Sequence, residues 1–405
     1  MRIDWELKDL GQVFTFRQGI QRGVKLQSET KTDGQVRFLR IVDYTQGNEL
    51  PRYIDNPGEQ YLLDENDISL VRYGASTGFV CRGFEGALAN NLFRLIPNSS
   101  FNINSEFLYY FLQSPFFQGH IQKMMNGAAM PAISFGMIKD IKFPIIEFSE
   151  QQQIVDILDQ AFIAIDQAKA NIEKNIENAK ELFQSKLNDI FSQKGDGWEE
   201  KKIEEISTVV NGYSFKSKDF SADNEIKSIK ITNVGIMEFV EDLSNNLPTA
   251  FLNEYSKVKV HEGDLVLALT RTIISGGLKV ARVPESYNNS LLNQRVASIV
   301  PNINFVDSDF LYYYFSSNIV YNYVLEHVKT LMQPNLSISD LKSMPVPITS
   351  IEKQRDISLQ IEDLSENIKC LIDQYSFKLD DLEELKKSIL QKAFAGELTN
   401  KMVEV

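Results

Sequence analysis

The chain contains its own fold twice. Residues 130–145, MPAISFGMIKDIKFPI, return at 333–348 as QPNLSISDLKSMPVPI. A shift of 203 positions puts Pro131 on Pro334, Ser134 on Ser337, Ile138 on Leu341, Lys139 on Lys342 and Pro144 on Pro347. Further pairs flank this one in the same order. WELKDLGQVFTFRQG (5–19) matches WEEKKIEEISTVVNG (198–212), FLRIVDY (38–44) matches SIKITNV (228–234), and ENDISLVRYG (65–74) matches HEGDLVLALTR (261–271). FLYYFL (107–112) matches FLYYYF (310–315). SEQQQIVDILDQ (149–160) matches SIEKQRDISLQI (350–361) more weakly, and LFQSKLNDIF (182–191) matches LKKSILQKAF (385–394). The offset drifts from 193 to 203, which places the insertions within the first three blocks. Ordered self-similarity over half a chain is the mark of a duplicated unit, and it requires two copies of one architecture.

Each copy has two parts. The first mixes β-branched runs, such as VRFLRIV (36–42), DISLVRY (67–73), IKSIKIT (226–232) and DLVLALT (264–270), with Gly, Asn and Asp turns. An aromatic stretch of helical length follows at 105–125 and 308–329. The second part is a long helix, predicted over 150–192 and 351–395, with no internal Gly or Pro. Gly195-Asp196-Gly197 ends the first, and Gly396 is placed to cap the second. The expected division is a first domain at 1–148, a spacer helix at 149–197, a second domain at 198–349 and a spacer helix at 350–405. The fold class is mixed α+β: two tandem homologous α/β domains separated by two long helices.

The second helix carries a 4-3 apolar register through Ile357, Ile361, Leu364, Ile368, Leu371, Tyr375, Lys378, Leu382, Leu385 and Ile389. The same register on the first runs Ile154, Leu158, Ala161, Ile165, Ala168, Ile172, Asn175, Ala179, Leu182, Lys186, broadened by Ile157, Phe162, Ile176 and Phe183. Such helices of ~40 residues reach about 60 Å at 1.5 Å per residue, and the simplest partner for each is the other, as a coiled coil. Both seams turn polar at one layer, Asn175 and Lys378. This layer either fixes register or is a local exposed break. Periodicity leaves parallel and antiparallel pairing open.

Composition excludes several classes. No run reaches the ~18 apolar residues of a membrane span, and the charged start MRIDWELKDL is unlike a signal peptide. A cytoplasmic protein is expected. Cys81 and Cys370 are the two thiols, expected reduced and structural. His120, His261 and His327 are scattered, and nothing has zinc-ligand spacing, so no metal is expected. There is no Gly-x-x-x-x-Gly-Lys-Ser/Thr loop, no Gly-x-Gly-x-x-Gly after a strand, and no Asn- or Asp-Pro-Pro-Tyr run of the amino-methyltransferase kind. Glu384-Leu385-Lys386 has a nuclease-like spacing but lies on a predicted coiled-coil helix, where charges form solvated faces. No Ser/His/Asp or Cys/His constellation emerges.

A net charge of −13 argues against nucleic acid at first sight, but the mean hides local patches. Residues 17–40 carry Arg17, Arg22, Lys25, Lys31, Arg37 and Arg40 against Glu29 and Asp33. Residues 72–94 carry Arg72, Arg82 and Arg94 against Glu85, and 271–295 carry Arg271, Lys279, Arg282 and Arg295 against Glu285. The last two blocks include the loops RYGASTGFVCR and TRTIISGGLKVAR, and ANNLFR and LNQRVA put amides in matching places. Lys and Arg neutralise phosphate, while Arg, Asn and Gln read base edges. The alternative is ordinary solvated surface. The aromatics of FLYYFL and FLYYYF could stack on bases, but helical spacing within an apolar stretch favours the core.

These features resemble the specificity subunit of Type I restriction–modification systems over essentially the whole chain. The resemblance rests on the Trp-Glu opening of each half, the Gly-Asp-Leu-Val-Leu strand (263–267) and Pro-x-x-Ser before a turn and a Pro-terminated strand. Glu-x-Gln at a helix start and LKKSILQKAFAGEL (385–398) complete it. The resemblance implies two target-recognition domains, each reading half of a bipartite, asymmetric double-stranded DNA site. It implies an antiparallel coiled coil that acts as a ruler, with the domains related by a pseudo-twofold axis. It further implies a non-catalytic chain, without cofactor, that recruits two DNA methyltransferase subunits and ATP-dependent restriction/translocase subunits; S-adenosylmethionine, ATP and Mg are expected on those partners. The candidate DNA-binding residues are Arg17, Arg22, Lys25, Arg37, Arg72, Tyr73, Ser76 and Asn91 in the first domain. In the second they are Lys216, Lys230, Arg271, Thr272, Lys279 and Arg295. Two other readings stay open: a methyltransferase or nuclease with an unrecognised site, and a coiled-coil scaffold that does not bind DNA.

Overall fold

The Trp-Glu opening of each repeat folds back onto the Pro-terminated strand that ends it. Strand β1 (Glu6–Asp9) pairs antiparallel with β10 (Lys142–Ile145), Leu7 opposite Pro144. Likewise β11 (Glu199–Lys202) pairs with β22 (Pro345–Ile348), Glu200 opposite Pro347. Both pairs are two-stranded, so every strand is an edge, the setting in which a proline is tolerated. The computed structural model describes residues 5–125, 132–193, 195–242, 244, 246–274, 277–328 and 335–399. Pro131 and Pro334 lie outside the described residues. The chain forms two compact units, Met1–Ile172 with Ser376–Val405, and Glu173–Tyr375.

In the first unit, β2 (Phe14–Gln18), β9 (Leu92–Pro97), β6 (Ser69–Val71) and β7 (Val80–Cys81) form one antiparallel sheet in the order β2-β9-β6-β7. A second sheet orders β4 (Arg52–Asp55), β3 (Gln35–Leu39), β8 (Gly86–Leu88) and β5 (Leu62–Leu63), with β3 and β8 parallel. The second unit repeats both orders. Its first sheet is β12 (Ser207–Asn211), β21 (Val296–Pro301), β16 (Leu265–Ala268), β19 (Val280–Arg282). Its second is β14 (Asn246–Leu247), β13 (Ile226–Ile229), β20 (Ser290–Leu292), β15 (Lys259–Val260), again with one parallel pair, β13 and β20. A short hairpin, β17 (Ile273–Ile274) with β18 (Gly277–Leu278), is added here.

The aromatic stretches are core helices, Ser105–Gln113 and Ser308–Phe315. Each starts on an N-cap whose carboxyl or amide oxygen accepts two backbone N–H groups: Asn104 from Glu106 and Phe107, Asp307 from Asp309 and Phe310. Phe107, Phe111, Phe310 and Phe315 are fully buried. Base stacking by these rings is thereby closed off, because their faces are spent on the core.

One buried glutamine joins the globular part of each repeat to its long helix. Gln151 lies near the start of the central helix (Phe148–Phe191) and is fully enclosed. Its amide oxygen accepts from Asn104 N at 2.8 Å, and its NH2 donates to Asn102 O and Ile146 O, both at 3.0 Å. Gln354, on the closing helix (Ile351–Ala395), repeats the set, accepting from Asp307 N at 2.9 Å and donating to Phe305 O at 3.0 Å and Thr349 O at 2.7 Å. Three main-chain groups that would otherwise be stranded are satisfied by one side chain.

The far end of each long helix serves a core as well. In the first unit Phe394 lies 5.2 Å from Phe107 and 5.5 Å from Phe111, with Leu390 and Ala393 in the same cluster. In the second, Phe191 lies 5.1 Å from Phe310 and 5.2 Å from Tyr314. The closing helix ends as foreseen at Gly396, φ 81°, with Glu397 N bonded to Lys392 O and Gly396 N to Ala393 O, a Schellman cap. Within the first unit the two long helices run antiparallel: Lys169 pairs with Glu383, Asp166 with Lys386 at 3.7 Å, and Glu150 with Thr399 at 2.7 Å. Within the second, Leu187 and Phe191 share a cluster with Ile361.

The heptad register holds through Ile368; beyond it Tyr375, Leu382 and Ile389 stay inward while the alternate positions shift by one. Leu371 and Leu385 are 38% and 46% exposed, while Ile372, Leu379 and Lys386 turn partly inward. On the central helix the inward side passes to Ile176, Ala179, Phe183 and Leu187, leaving Leu182 49% exposed. Asn175 and Lys378 both stand exposed. An α-helix turns every 3.6 residues, so a strict 3.5 repeat drifts by about 20° per heptad unless the helices supercoil fully.

Candidate nucleic-acid interface

A glycine ends the first matched block of each repeat for a steric reason. At Gly19 the chain leaving β2 crosses the turn between β8 and β9; a Cβ there would sit 2.2 Å from Leu88 O and 2.3 Å from Ala89 O. At Gly212 a Cβ would sit 1.9 Å from Asn293 O. This crossing brings three loops to one edge of the sheet that holds β2 in the first unit and β12 in the second. In the first unit Ile20 N bonds Leu88 O, Arg72 N bonds Asn91 O, and Ile133 N bonds Arg72 O. In the second, Tyr213 N bonds Leu292 O, Leu269 N bonds Arg295 O, and Leu336 N bonds Leu269 O. The matching bonds set Arg72 on Leu269, Gly74 on Arg271 and Asn91 on Arg295.

In the first unit Arg72, Tyr73, Ser76 and Asn91 gather at this edge. The Arg72 guanidinium lies 4.8 Å from the Tyr73 ring and 5.8 Å from the Phe135 ring. Tyr73 is 38% exposed, and the Asn91 amide oxygen is buried without a hydrogen-bond partner. Ser76 sits half-buried on the same loop. Arg17 is exposed on β2 opposite Arg94. Arg22 is half-buried and Lys25 exposed on the loop leaving β2. Arg37 lies elsewhere, on β3. It is 3.3 Å from the enclosed carboxylate of Asp43 and 4.1 Å above the Phe84 ring.

In the second unit Arg271, Thr272, Lys279 and Arg295 come together. Thr272 is fully buried, its hydroxyl unpartnered, and its carbonyl accepts from Lys279 N at 2.8 Å. The Lys279 ammonium donates to Ile231 O. Burial, and then the neighbouring Arg271 charge, hold its pKa below that of an ordinary lysine. Arg271 and Arg295 are exposed and adopt φ 49° and 70°. That backbone costs on the order of 1 kcal/mol for a side chain larger than glycine. Lys216 is exposed before a short turn. Lys230 is half-buried 3.7 Å from the Phe220 ring centroid, and burial lowers its pKa.

Some recurring cations have a structural role instead. Arg82 pairs with Glu106 and lies 3.6 Å from the Tyr109 ring. Arg282 pairs with Asp309 at 2.6 Å and lies 4.4 Å from the Tyr312 ring. These matching trios tie the end of β7 in the first unit and β19 in the second to the aromatic helix. Arg94 bonds Leu62 O and Asp67 at 3.2 Å. Two residues at the loop edges escaped the sequence reading: Phe79, 44% exposed, beside Ser76, and Tyr213, 45% exposed, whose carbonyl accepts at 2.8 Å from the N–H of Gln294, one of the matched amides and itself exposed. Tyr213 follows Gly212 as Ile20 follows Gly19, a signal available in the repeat. Among the described residues no cluster of His, Cys, Asp and Glu could hold a metal ion, and no helix is long and apolar enough to cross a membrane.

The chain is 25% identical to the Type I restriction enzyme MjaVIII specificity subunit of Methanocaldococcus jannaschii, over 98% of this chain and 93% of that one. It is 23% identical to the EcoBI specificity subunit of Escherichia coli, over 91% and 81%. A solved chain from work on complex assembly and conformational transition of the type I R-M system superposes with a TM-score of 0.73 at 16% identity, covering 97% of this chain and 98% of that chain. The model of the Type I restriction modification DNA specificity domain matches twice, at residues 2–178 and 195–374, once per repeat, and the chain belongs to that family.

Proposed function

We propose that the two loop edges each read one half of a bipartite, asymmetric double-stranded DNA site. The chain is a DNA-specificity subunit of the Type I restriction–modification class and not itself a catalyst. One observation carries the two-reader proposal: the framework is repeated bond for bond while the side chains it presents differ. Gly19 and Gly212 make the same crossing, and Gln151 and Gln354 the same junction. Yet Gly74 and Asn91 stand where Arg271 and Arg295 stand. Two copies of one scaffold with different loops are suited to reading two different sequences. Phosphate contacts supply grip and base contacts supply specificity.

In this reading the long helices set the spacing between half-sites. Two DNA methyltransferase subunits bind the chain and bring S-adenosylmethionine, and restriction/translocase subunits that use ATP and Mg join them in the cytoplasm. Methylome sequencing with and without the gene tests it: one split motif is expected to vanish with the gene. Purified chain incubated alone with DNA and labelled S-adenosylmethionine is expected to transfer no methyl group; transfer would favour an enzyme. One heptad added to both helices is expected to change the spacer between the half-sites.

A further inference from the structure

We infer that Arg271 and Arg295 are a guanine-reading pair of the second unit, an inference that rests on the DNA-reading function proposed above. Both side chains are exposed on adjoining stretches of one edge, since Leu269 N bonds Arg295 O at 2.8 Å and Arg271 lies two residues on. Both residues hold a left-handed backbone, φ 49° and 70°. The matching position in the first unit to Arg271 is Gly74, φ 85°, and to Arg295 is Asn91. Asn91 keeps a negative φ, so the first unit builds the matching junction there without a left-handed backbone, and at the other position glycine tolerates that backbone most readily. The framework therefore does not call for arginine at either position.

Folding does not use the two guanidinium groups either. Among the described residues neither is in an ion pair or a side-chain hydrogen bond. The contrast with the surrounding groups is direct. Arg282 is paired with Asp309, and Lys279 donates to Ile231 O. Met237, which also has a positive φ of 56°, is anchored by its carbonyl to the Tyr312 hydroxyl at 2.9 Å. Backbone strain with no return in packing points to a function for the side chain. Guanidinium is permanently charged and donor-only, with a fork that fits O6 and N7 of guanine in the major groove. Phosphate is the competing target. A phosphate contact weakens binding evenly across sequences, whereas a base contact changes the sequence read.

The test is methylome sequencing of cells that express the chain with its cognate methyltransferase subunits, comparing wild type, Arg271→Gly and Arg295→Gly. Glycine suits the backbone, so both variants fold. The expected result is a motif relaxed at a G·C pair in the half-site that a swap of residues 198–349 replaces. Methylation of the original site should fall about tenfold or more. The purified variants should melt within roughly 2 °C of wild type or above it. An unchanged motif with weaker methylation would assign the arginines to phosphate and overturn the inference, as would relaxation in the other half-site. A melting temperature lower by more than about 4 °C would make the side chains structural and overturn it too. If the wild-type chain directed no split motif at all, the DNA-reading function itself would fall.

Discussion

The basic blocks divide into two kinds of cation, and an acidic partner within the unit makes the division. Arg37, Arg82, Arg94 and Arg282 neutralise acids inside each unit, while Lys25, Lys216, Arg271 and Arg295 face solvent. Sequence spacing showed that charge recurs; it could not show which charges meet Asp43, Glu106, Asp67 or Asp309, because those partners come from other strands and helices. Gln151 and Gln354 were legible only as part of a motif. Their role depends on three main-chain groups that no local pattern brings together. Replacing either with Ala should destabilise its unit by about 2–4 kcal/mol, since one N–H and two carbonyls lose their partner in a buried junction. Denaturant unfolding measures this, and a loss below about 0.5 kcal/mol would show that water replaces the amide.

Among the elements, the long helices were the most readable. Their ends, the Gly396 cap and the first half of each apolar seam follow from periodicity and terminator residues. The one-residue shift of alternate seam positions after Ile368 was hidden, because a 3.5 and a 3.6 repeat diverge only over several turns. The terminal aromatics were part of a repeat motif without an assigned task, and both close a core. Phe394→Ala and Phe191→Ala should each cost about 3–5 kcal/mol in calorimetric or denaturant unfolding of the unit concerned. In the first unit the Lys169 hydrogen bond holds the Glu383 carboxyl below the ordinary glutamate range. A lowered carboxylate contributes stability above its unfolded pKa, and that contribution is lost as pH falls through its folded pKa. Wild type should therefore melt above Glu383→Gln at pH 7, and the gap should shrink and then close as pH falls below the ordinary glutamate range. A gap independent of pH would assign the difference to something other than the ion pair.

At the scale of the whole chain, the duplication was the part that sequence revealed best, because order and offset survive divergence that single motifs do not. The strand orders β2-β9-β6-β7 and β12-β21-β16-β19, each with a partner sheet holding one parallel pair, were not legible. Non-local pairings of two- to six-residue strands leave no periodic trace. The net charge of −13 was the least informative number, since it averages acidic helices with basic loop edges. The central claim is that one chain carries two independent readers on one repeated frame. Replacing residues 198–349 with the matching segment of a relative that directs a different motif, then sequencing the methylome, tests it most directly. The account predicts that one half-site changes while the other half and the spacer stay as they were. A change in both halves, or in neither, would contradict it.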